Sequence, residues 1–285
     1  MAFRDGQFAW GPWLWLTFGL LMAHATNNLL NDMTDYSKGL DHGNYFRAQY
    51  GAHPLEHGLL TMRQMWGYVA VTGLLALAAG AYLVYLRGSL ALLLMGLGAF
   101  FVLFYTFPLK YIGLGEVAVL VVWGPLMIGG GYYVVTGVWN WNVALAGLPY
   151  ALGATTVIFG KHIDKFEGDK TKGVRTLPVL LGEKIARYAV LGMMVIQYLL
   201  VIYLVVTNFF TIVPLIVLLA LPTLRLVVQV YRQPRPASPP PDFPAGAWPL
   251  WFVAFAFYHN RRFGLMFLLG LIGDLILRGV LLLLP

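Results

Sequence analysis

Four oxygen-bearing side chains follow the first apolar run of the chain at helical spacing. Asn28, Asn31, Asp32 and Asp35 stand at i, i+3, i+4 and i+7, so a helix that continues through them places two amides and two carboxylates on one stripe. Carboxylates crowded at a membrane helix end repel one another unless cations neutralise them. We therefore expect a metal-binding face, with a capped, solvated turn as the alternative.

A second polar cluster occupies residues 161–178 and contains Asp164 and Asp169. Five helical residues rotate by about 140°, so both acids reach one ion only if the helix ends or bulges near Gly168. We therefore favour Asp169 as a ligand over Asp164, with Glu167 as a substitute for the latter. The cations that flank the two clusters are Lys38, Lys170, Lys172 and Arg175.

Together the two clusters could hold one diphosphate. The chain has no cysteine, so thiolate ligands are excluded and oxygen ligands point to Mg²⁺ or Ca²⁺. Magnesium binds through a few carboxylates together with phosphate oxygens, and arginine suits bidentate contact with phosphate. An apolar helical bundle beneath the bound diphosphate would hold a hydrocarbon tail.

The composition places these clusters in a lipid bilayer. Hydrophobic residues make up 59% of the chain, charged residues only 11%, and the mean hydropathy is +0.72, whereas soluble domains carry about 25% charged residues. We predict an all-α, polytopic transmembrane helical bundle that forms a single domain over residues 1–285. Eight spans of about 20 residues are expected, at 8–31, 64–86, 89–106, 115–135, 143–162, 185–206, 209–231 and 262–284.

The lysines and arginines predict the orientation of the bundle. They gather in the connections at 32–63, 107–114, 163–184 and 232–261, which the positive-inside rule assigns to the cytoplasm. Arg4, Arg87 and Arg278 are the exceptions, near the outer face. The net charge of +7 thus reports topology and requires no nucleic-acid partner. Both acidic clusters then face the cytoplasm of a membrane that we take to be a prokaryotic plasma membrane.

The two clusters end spans one and five, so the chain divides into two four-helix halves. Each half carries acids at the same relative position, which predicts a pseudo-repeat around a central cavity. The stretch from 233 to 249 contains seven prolines and reads as a stiff cytoplasmic linker. Residues 250–258 are too few to span and are expected at the membrane interface before the last span.

The motifs resemble those of the intramembrane aromatic prenyltransferases, and in particular the menaquinone branch that acts on 1,4-dihydroxy-2-naphthoate. The first acidic motif, residues 31–35, is followed by Lys38, Gly39 and Asp41, as in that branch, and an Arg-Pro signature typical of other branches is absent. The further stretches that carry the resemblance are residues 57–61, 105–116, 123–125, 131–137 and 175–182. The chain departs from the family where Lys161 and His162 replace two asparagines and where Asp164 and Asp169 are five apart.

The resemblance implies transfer of a polyprenyl group from an allylic prenyl diphosphate to an aromatic acceptor, with Mg²⁺ as cofactor. The implied roles are catalysis for Asp32, Asp35, Asp169, Lys38 and Arg175; metal binding for Asn31, Asp32, Asp35, Asp41, Asp164 and Asp169; and substrate binding for Asn28, Lys110, Tyr105, Glu116, Lys170 and Lys172. For Tyr105, Lys110 and Glu116, anchoring at the membrane interface is the alternative.

Three alternatives stay open at this point. The acceptor could be homogentisate, 4-hydroxybenzoate or a lipid alcohol. A cation-coupled transporter is the competing class, with Asp274 as its sole intramembrane acid in mid-span. The family usually has nine helices with the first motif on the second, so eight spans predict an apolar groove beside spans one and eight, filled by lipid or by a second copy of the chain.

Overall fold

The computed structural model describes residues 1–40, 53–244 and 246–281, and within these ranges the regular structure is helical throughout. The helices, in chain order, are α1 (Trp10–Ser37), α2 (Met62–Arg87), α3 (Ser89–Phe104), α4 (Gly115–Thr136), α5 (Trp141–Asp164), α6 (Phe166–Thr171), α7 (Leu177–Leu181), α8 (Glu183–Val206), α9 (Val213–Tyr231) and α10 (Trp251–Leu281). A 3₁₀ turn, Leu109–Ile112, lies between α3 and α4.

The long helices lie where the sequence predicts spans. Within the described ranges, six helices are long and apolar enough to cross a membrane: α2, α4, α5, α8, α9 and α10. The third predicted span corresponds to α3, which has only 16 residues. The first corresponds to α1, whose apolar run is interrupted by residues such as His24 and Asn27. The all-α, polytopic prediction is confirmed.

The last helix begins earlier than the sequence predicts. Residues 251–261 were expected in a cytoplasmic connection, but α10 starts at Trp251 and continues unbroken to Leu281. The first N–H groups of a helix have no partner within the helix, and Asp164 accepts hydrogen bonds from two of them, at Phe252 and Val253. This long-range cap makes an early start favourable and cannot be read from the local sequence.

The two halves of the chain pack differently. The second half contains two large apolar clusters, one around Tyr231 and Phe252 and one around Phe210 and Phe263. The first half has a small cluster around Met33, and α2 and α3 leave most of their apolar side chains exposed. Those surfaces suit contact with lipid, which is as apolar as the side chains it would touch.

Glycines set the closest approaches between helices. In α4, a Cβ on Gly129 would lie 2.8 Å from the Cβ of Ala144, so a larger residue would separate α4 from α5. The sequence around Gly129 therefore serves helix packing. The same helix contains a π-helical segment at Val122–Gly129. Pro125 lies within this segment and has no N–H to donate to a regular helical hydrogen bond.

Candidate active site

The first acidic motif lies on the last turns of α1, as predicted. The helix continues to Ser37, so Asn28, Asn31, Asp32 and Asp35 share one helix. Asn28 is exposed and its amide nitrogen lies 3.2 Å from His24 Nε2. Asp32 is half-buried, and Asp35 is buried. The predicted ligand Asp41 lies outside the described residues.

The connection between α3 and α4 supplies the partners of this motif. Thr106 donates a hydrogen bond to Asn31 Oδ1 at 3.1 Å, and Lys110 Nζ lies 3.0 and 2.7 Å from the two carboxylate oxygens of Asp35. The Lys110 and Asp35 side chains are only 12% and 11% exposed, so water screens this pair less than a surface pair. Lys110 is therefore bound to the first motif.

Tyr105 lies at the start of the same connection. Burial raises the pKa of its hydroxyl, and the carboxylates of Glu116 and Asp35 raise that pKa further. A phenol is protonated at neutral pH even at its ordinary pKa, so Tyr105 can donate a hydrogen bond. Tyr105 thus lies within electrostatic range of acids from both sides of the connection.

Glu116 joins this connection to the second motif. Its side chain is buried; Oε1 lies 2.6 Å from His162 Nδ1, and Oε2 accepts a hydrogen bond from the Leu177 N–H at 3.3 Å. Sequence reasoning missed His162 as a site residue and noted it only as a departure from the family pattern. A histidine next to an acidic motif at a span end was the available signal.

The second motif is divided by a break in the helix. Helix α5 ends at Asp164, Lys165 leaves helical geometry with φ −96° and ψ 7°, and α6 begins at Phe166. The break lies at Lys165, three residues before Gly168, where an interruption was required for both acids to reach one ion. The break gives the two acids different surroundings, because they now belong to different helices.

Asp164 and Asp169 are both buried, yet only Asp164 is fully paired. Asp164 Oδ1 and Oδ2 accept hydrogen bonds from the N–H groups of Phe252 and Val253 at 3.0 and 2.9 Å. Asp169 Oδ1 lies 4.0 Å from Lys165 Nζ, and Asp169 Oδ2 is buried without a hydrogen-bond partner among the described residues. An unpaired buried carboxylate oxygen is costly, which suggests that a ligand completes it.

Lys172 holds the two motifs together. Its Nζ donates hydrogen bonds to the carbonyl oxygens of Gly39 and Leu40, at 3.3 and 2.8 Å, just beyond the end of α1. The other predicted cations, Lys170 and Arg175, are exposed. Lys38 is exposed as well, with its Nζ 3.8 Å from the centre of the Phe107 ring. Lys38, Lys170 and Arg175 are thus exposed to solvent, whereas Lys172 links the two motifs.

A cavity of about 690 Å³ opens beside Asp169. Most of the residues around it come from the second motif and from the proline-rich linker, with Leu40 contributed from just beyond α1; they include Glu167, Asp169, Lys172, Arg235 and Trp248. Sequence reasoning missed Arg235, which lies between two prolines with no local signal of function. The linker is therefore a wall of the site as well as a connection.

The donor set fits a hard cation. Carboxylate and amide oxygens are the ligands that magnesium prefers, and Asp169 offers a buried oxygen that nothing else in the described structure satisfies. The described residues contain no ready cluster of three or more His, Asp or Glu side chains around one point. Asp169 can supply its unpaired oxygen, whereas Asn31 and Asp35 would have to exchange contacts with the side chains of Thr106 and Lys110, and Asp164 would have to give up two backbone N–H groups.

Asp274, the acid that a transporter would use, belongs to a different polar network at the other end of the bundle. It accepts a hydrogen bond from the Thr211 N–H and lies 3.5 Å from Arg278 Nε and 3.9 Å from Arg4 Nη1. Asp5 lies in the same network, bound by Arg4 and by the Tyr132 hydroxyl. Asp274 therefore links three parts of the chain: the N-terminal segment, the connection that precedes α9, and helix α10 itself.

Known structures share this fold. A UbiA homolog from Aeropyrum pernix K1, in an apo structure, superposes with a TM-score of 0.67 at 21% identity, covering 94% of this chain and 90% of that one. A UbiA homolog from Archaeoglobus fulgidus, solved with DMAPP and Mg²⁺, gives a TM-score of 0.56 at 16% identity, covering 91% of this chain and 88% of that one. At these identities the likeness establishes the fold alone.

Sequence comparison adds two kinds of relative. The 1,4-dihydroxy-2-naphthoate octaprenyltransferase of Escherichia coli is 32% identical over 181 residues, which are 60% of this chain and 57% of that protein. The UbiA prenyltransferase domain-containing protein 1 of Danio rerio is 28% identical over 172 residues, 57% of this chain and 48% of that protein. The matches thus span about half the length of these relatives. Residues 1–245 match the UbiA prenyltransferase family, and with that match over most of its length the chain belongs to this family.

Proposed function

We propose that this chain transfers a polyprenyl group from an allylic prenyl diphosphate to an aromatic acceptor, most specifically 1,4-dihydroxy-2-naphthoate. One observation carries the proposal: Lys172 of the second motif donates to the Gly39 and Leu40 carbonyls at the end of the first. This contact places the residues after α1 against the end of α6, although the two motifs are more than a hundred residues apart in sequence. In the proposal, the carboxylates of both motifs hold one diphosphate through metal ions.

Asn31, Asp32, Asp35 and Asp169 would hold the magnesium in this proposal, with Asp41 as a further candidate. Bound Mg²⁺ supplies positive charge that stabilises the departing diphosphate. Lys38, Lys170 and Arg175 are exposed cations close in sequence to the acidic residues and would bind phosphate oxygens. These residues favour cleavage of the allylic carbon–oxygen bond, because they stabilise the negative charge that develops on the leaving group.

The connection between α3 and α4 would orient the acceptor. Tyr105 stays protonated and can donate a hydrogen bond to an acceptor oxygen, and Lys110 keeps Asp35 in place. A ring carbon then forms the new bond to the allylic carbon. With dihydroxynaphthoate the ring carboxylate leaves as CO₂, which returns its bonding electrons to the ring, so the step needs no separate base.

Two lines support the naphthoate acceptor over other aromatic acids. The sequence pattern of residues 105–137 resembles the menaquinone branch, and the E. coli relative with 32% identity is named for this substrate. An acceptor such as 4-hydroxybenzoate would keep the same diphosphate chemistry, but alkylation at a C–H carbon would then release a proton, which a base would have to accept.

We also propose that the site faces the cytoplasm. The described parts of the basic connections lie at the end of the bundle that carries the acidic motifs, as the positive-inside rule requires, whereas Arg261 and Arg262 lie within α10. The exceptions at the other end are engaged within the protein: Arg87 donates to the Val134 and Val135 carbonyls at 2.7 and 2.8 Å, and Arg4 and Arg278 both donate to the Phe209 carbonyl.

The direct test uses purified protein in lipid nanodiscs with Mg²⁺, geranylgeranyl diphosphate and dihydroxynaphthoate. We expect release of diphosphate and CO₂ together with a prenylated naphthalene, identified by mass spectrometry. Parallel reactions contain 4-hydroxybenzoate, homogentisate or no acceptor. Activity with hydroxybenzoate alone would contradict the acceptor, and magnesium-independent ion flux in liposomes without any transfer would contradict the enzyme class.

A further inference from the structure

We propose that Asp164 is a positioning residue, which docks the start of α10 onto the broken end of α5, and that it is not a magnesium ligand. Its carboxylate is wholly buried, and each oxygen accepts one backbone hydrogen bond from the first turn of α10. The end of α5 and the start of α10 are 88 residues apart in sequence. We refer to this arrangement of Asp164, Phe252, Val253, Gly160 and Arg235 as the clamp.

The electrostatics of the clamp favour this role. The first N–H groups of a helix have no partner within the helix and carry partial positive charge. A carboxylate from another helix satisfies two of them at once and compensates its own burial. A metal ion at Asp164 would have to displace both hydrogen bonds, whereas Asp169 has a buried oxygen with no partner among the described residues.

Gly160 permits the close approach that the clamp requires. It lies one helical turn before Asp164 on the same face of α5, and a Cβ there would lie 2.9 Å from the backbone N and Cα of Val253. Backbone atoms cannot rotate away as a side chain does. A side chain at position 160 would thus push α10 away from the Asp164 carboxylate.

Arg235 extends the clamp into the proline-rich linker. Its Nη1 donates to the Asp164 carbonyl at 3.1 Å and to the Pro249 carbonyl at 3.2 Å, and lies 3.9 Å from Asp164 Oδ1. Its guanidinium also lies 5.7 Å from the centre of the Trp248 ring. Arg235 and Trp248 line the cavity beside Asp169, so the clamp fixes the wall that faces the unpaired carboxylate.

A labelling experiment reads the clamp without any enzymatic activity. Because the chain has no cysteine, Val253→Cys provides a single buried thiol at the start of α10, beside Asp164. Val217→Cys provides a buried control thiol near the start of α9. We expect Asp164→Asn to increase maleimide labelling at position 253 by about tenfold and to leave position 217 unchanged. Asp164→Ala should increase it more, since Asn retains one acceptor oxygen.

Two further variants keep the test decisive if Asp164→Ala does not fold. Gly160→Ala should increase labelling at position 253 through the close contact, and Arg235→Gln should increase it to a smaller extent. Unchanged labelling in Asp164→Asn and Gly160→Ala would overturn the proposal.

Metal binding by Asp164 can be tested separately. We expect Mg²⁺ with inorganic diphosphate to raise the unfolding temperature of Asp164→Asn as it does for the wild type, and to do so much less for Asp169→Asn. Loss of this stabilisation in Asp164→Asn to the same extent as in Asp169→Asn would show Asp164 to be a ligand.

The kinetic consequence rests on the proposed function. Because the clamp shapes a wall of the cavity, Asp164→Asn should raise the KM for the prenyl diphosphate about fivefold and leave kcat within about twofold. A large loss of kcat at unchanged KM would contradict a positioning role. If the wild type transfers no prenyl group, the proposed function fails, while the labelling result still decides the clamp.

Discussion

The two acidic motifs use the same residue types at the ends of two spans, and they meet different partners. The first lies on an uninterrupted helix, and its carboxylate Asp35 is paired with the flexible side chain of Lys110. The second lies across a break, and Asp164 is paired with two fixed backbone N–H groups while Asp169 Oδ2 has no partner among the described residues. A lysine side chain can move when a metal or phosphate arrives, whereas a helix start cannot. The partner of each acid thus indicates whether it is available for chemistry.

The largest effect is expected at Asp169. We predict that Asp169→Asn lowers prenyl transfer by about 100-fold or more, because it removes a carboxylate that would hold the magnesium which stabilises the departing diphosphate. Initial rates of diphosphate release at saturating substrate measure this. Asp242→Asn, an exposed acid on the linker, is the control. A rate for Asp169→Asn within about fivefold of the control would show that Asp169 is not part of the active site.

The Lys110 and Asp35 pair should give the next largest effect. We predict that Lys110→Met lowers kcat/KM by about tenfold to 100-fold, as for residues that orient a ligand, because Asp35 is then buried without its cation. In an Asp35→Asn background the same change should have a much smaller effect, since no charge is left unpaired. Equal effects in both backgrounds would show that Lys110 acts independently of Asp35, and would weaken the contrast between the motifs.

Lys172 tests whether the motifs act as one site. We predict that Lys172→Met raises the KM for the prenyl diphosphate about fivefold to tenfold with a smaller change in kcat, because the motifs lose a charge-assisted hydrogen bond of about 1.5–3 kcal/mol at most. Lys184→Met, an exposed lysine at the start of α8, should leave both constants unchanged. Identical behaviour of the two variants would mean that the tether is not used.

The smallest effect on activity is expected at Asp274, at the opposite end of the bundle. We predict that Asp274→Asn keeps prenyl transfer within about twofold of the wild type but lowers the unfolding temperature in detergent by several degrees, because two arginines lose a buried acid. Thermal unfolding followed by circular dichroism, with activity on the same samples, measures both. Loss of activity with unchanged stability would instead revive a transport role for this acid.

The sequence predicted the positions of the spans and the residues of the first motif closely. An apolar run of about 20 residues indicates a helix that crosses the membrane, and a spacing of three and four residues indicates which side chains share one face of a helix. Both are local properties of the sequence. The stripe from Asn28 to Asp35 and the length of α4 and α8 follow from them. The proposed site residues Asp32, Asp35 and Asp169 are likewise readable from the motifs, and their metal roles remain predictions.

Only the tertiary structure decided which partner each polar group meets. The early start of α10, the pairing of Glu116 with His162 and the placement of Arg235 depend on contacts between residues 46 to 89 positions apart. The break at Lys165, which separates Asp164 from Asp169, was found only in the structure. The local pattern around Asp164 is the same whether its carboxylate meets a metal ion or a helix start. Hydrophobic periodicity fixes where a helix lies in the bilayer, but a buried carboxylate takes its role from the nearest available positive charge, and packing between distant helices determines what that charge is.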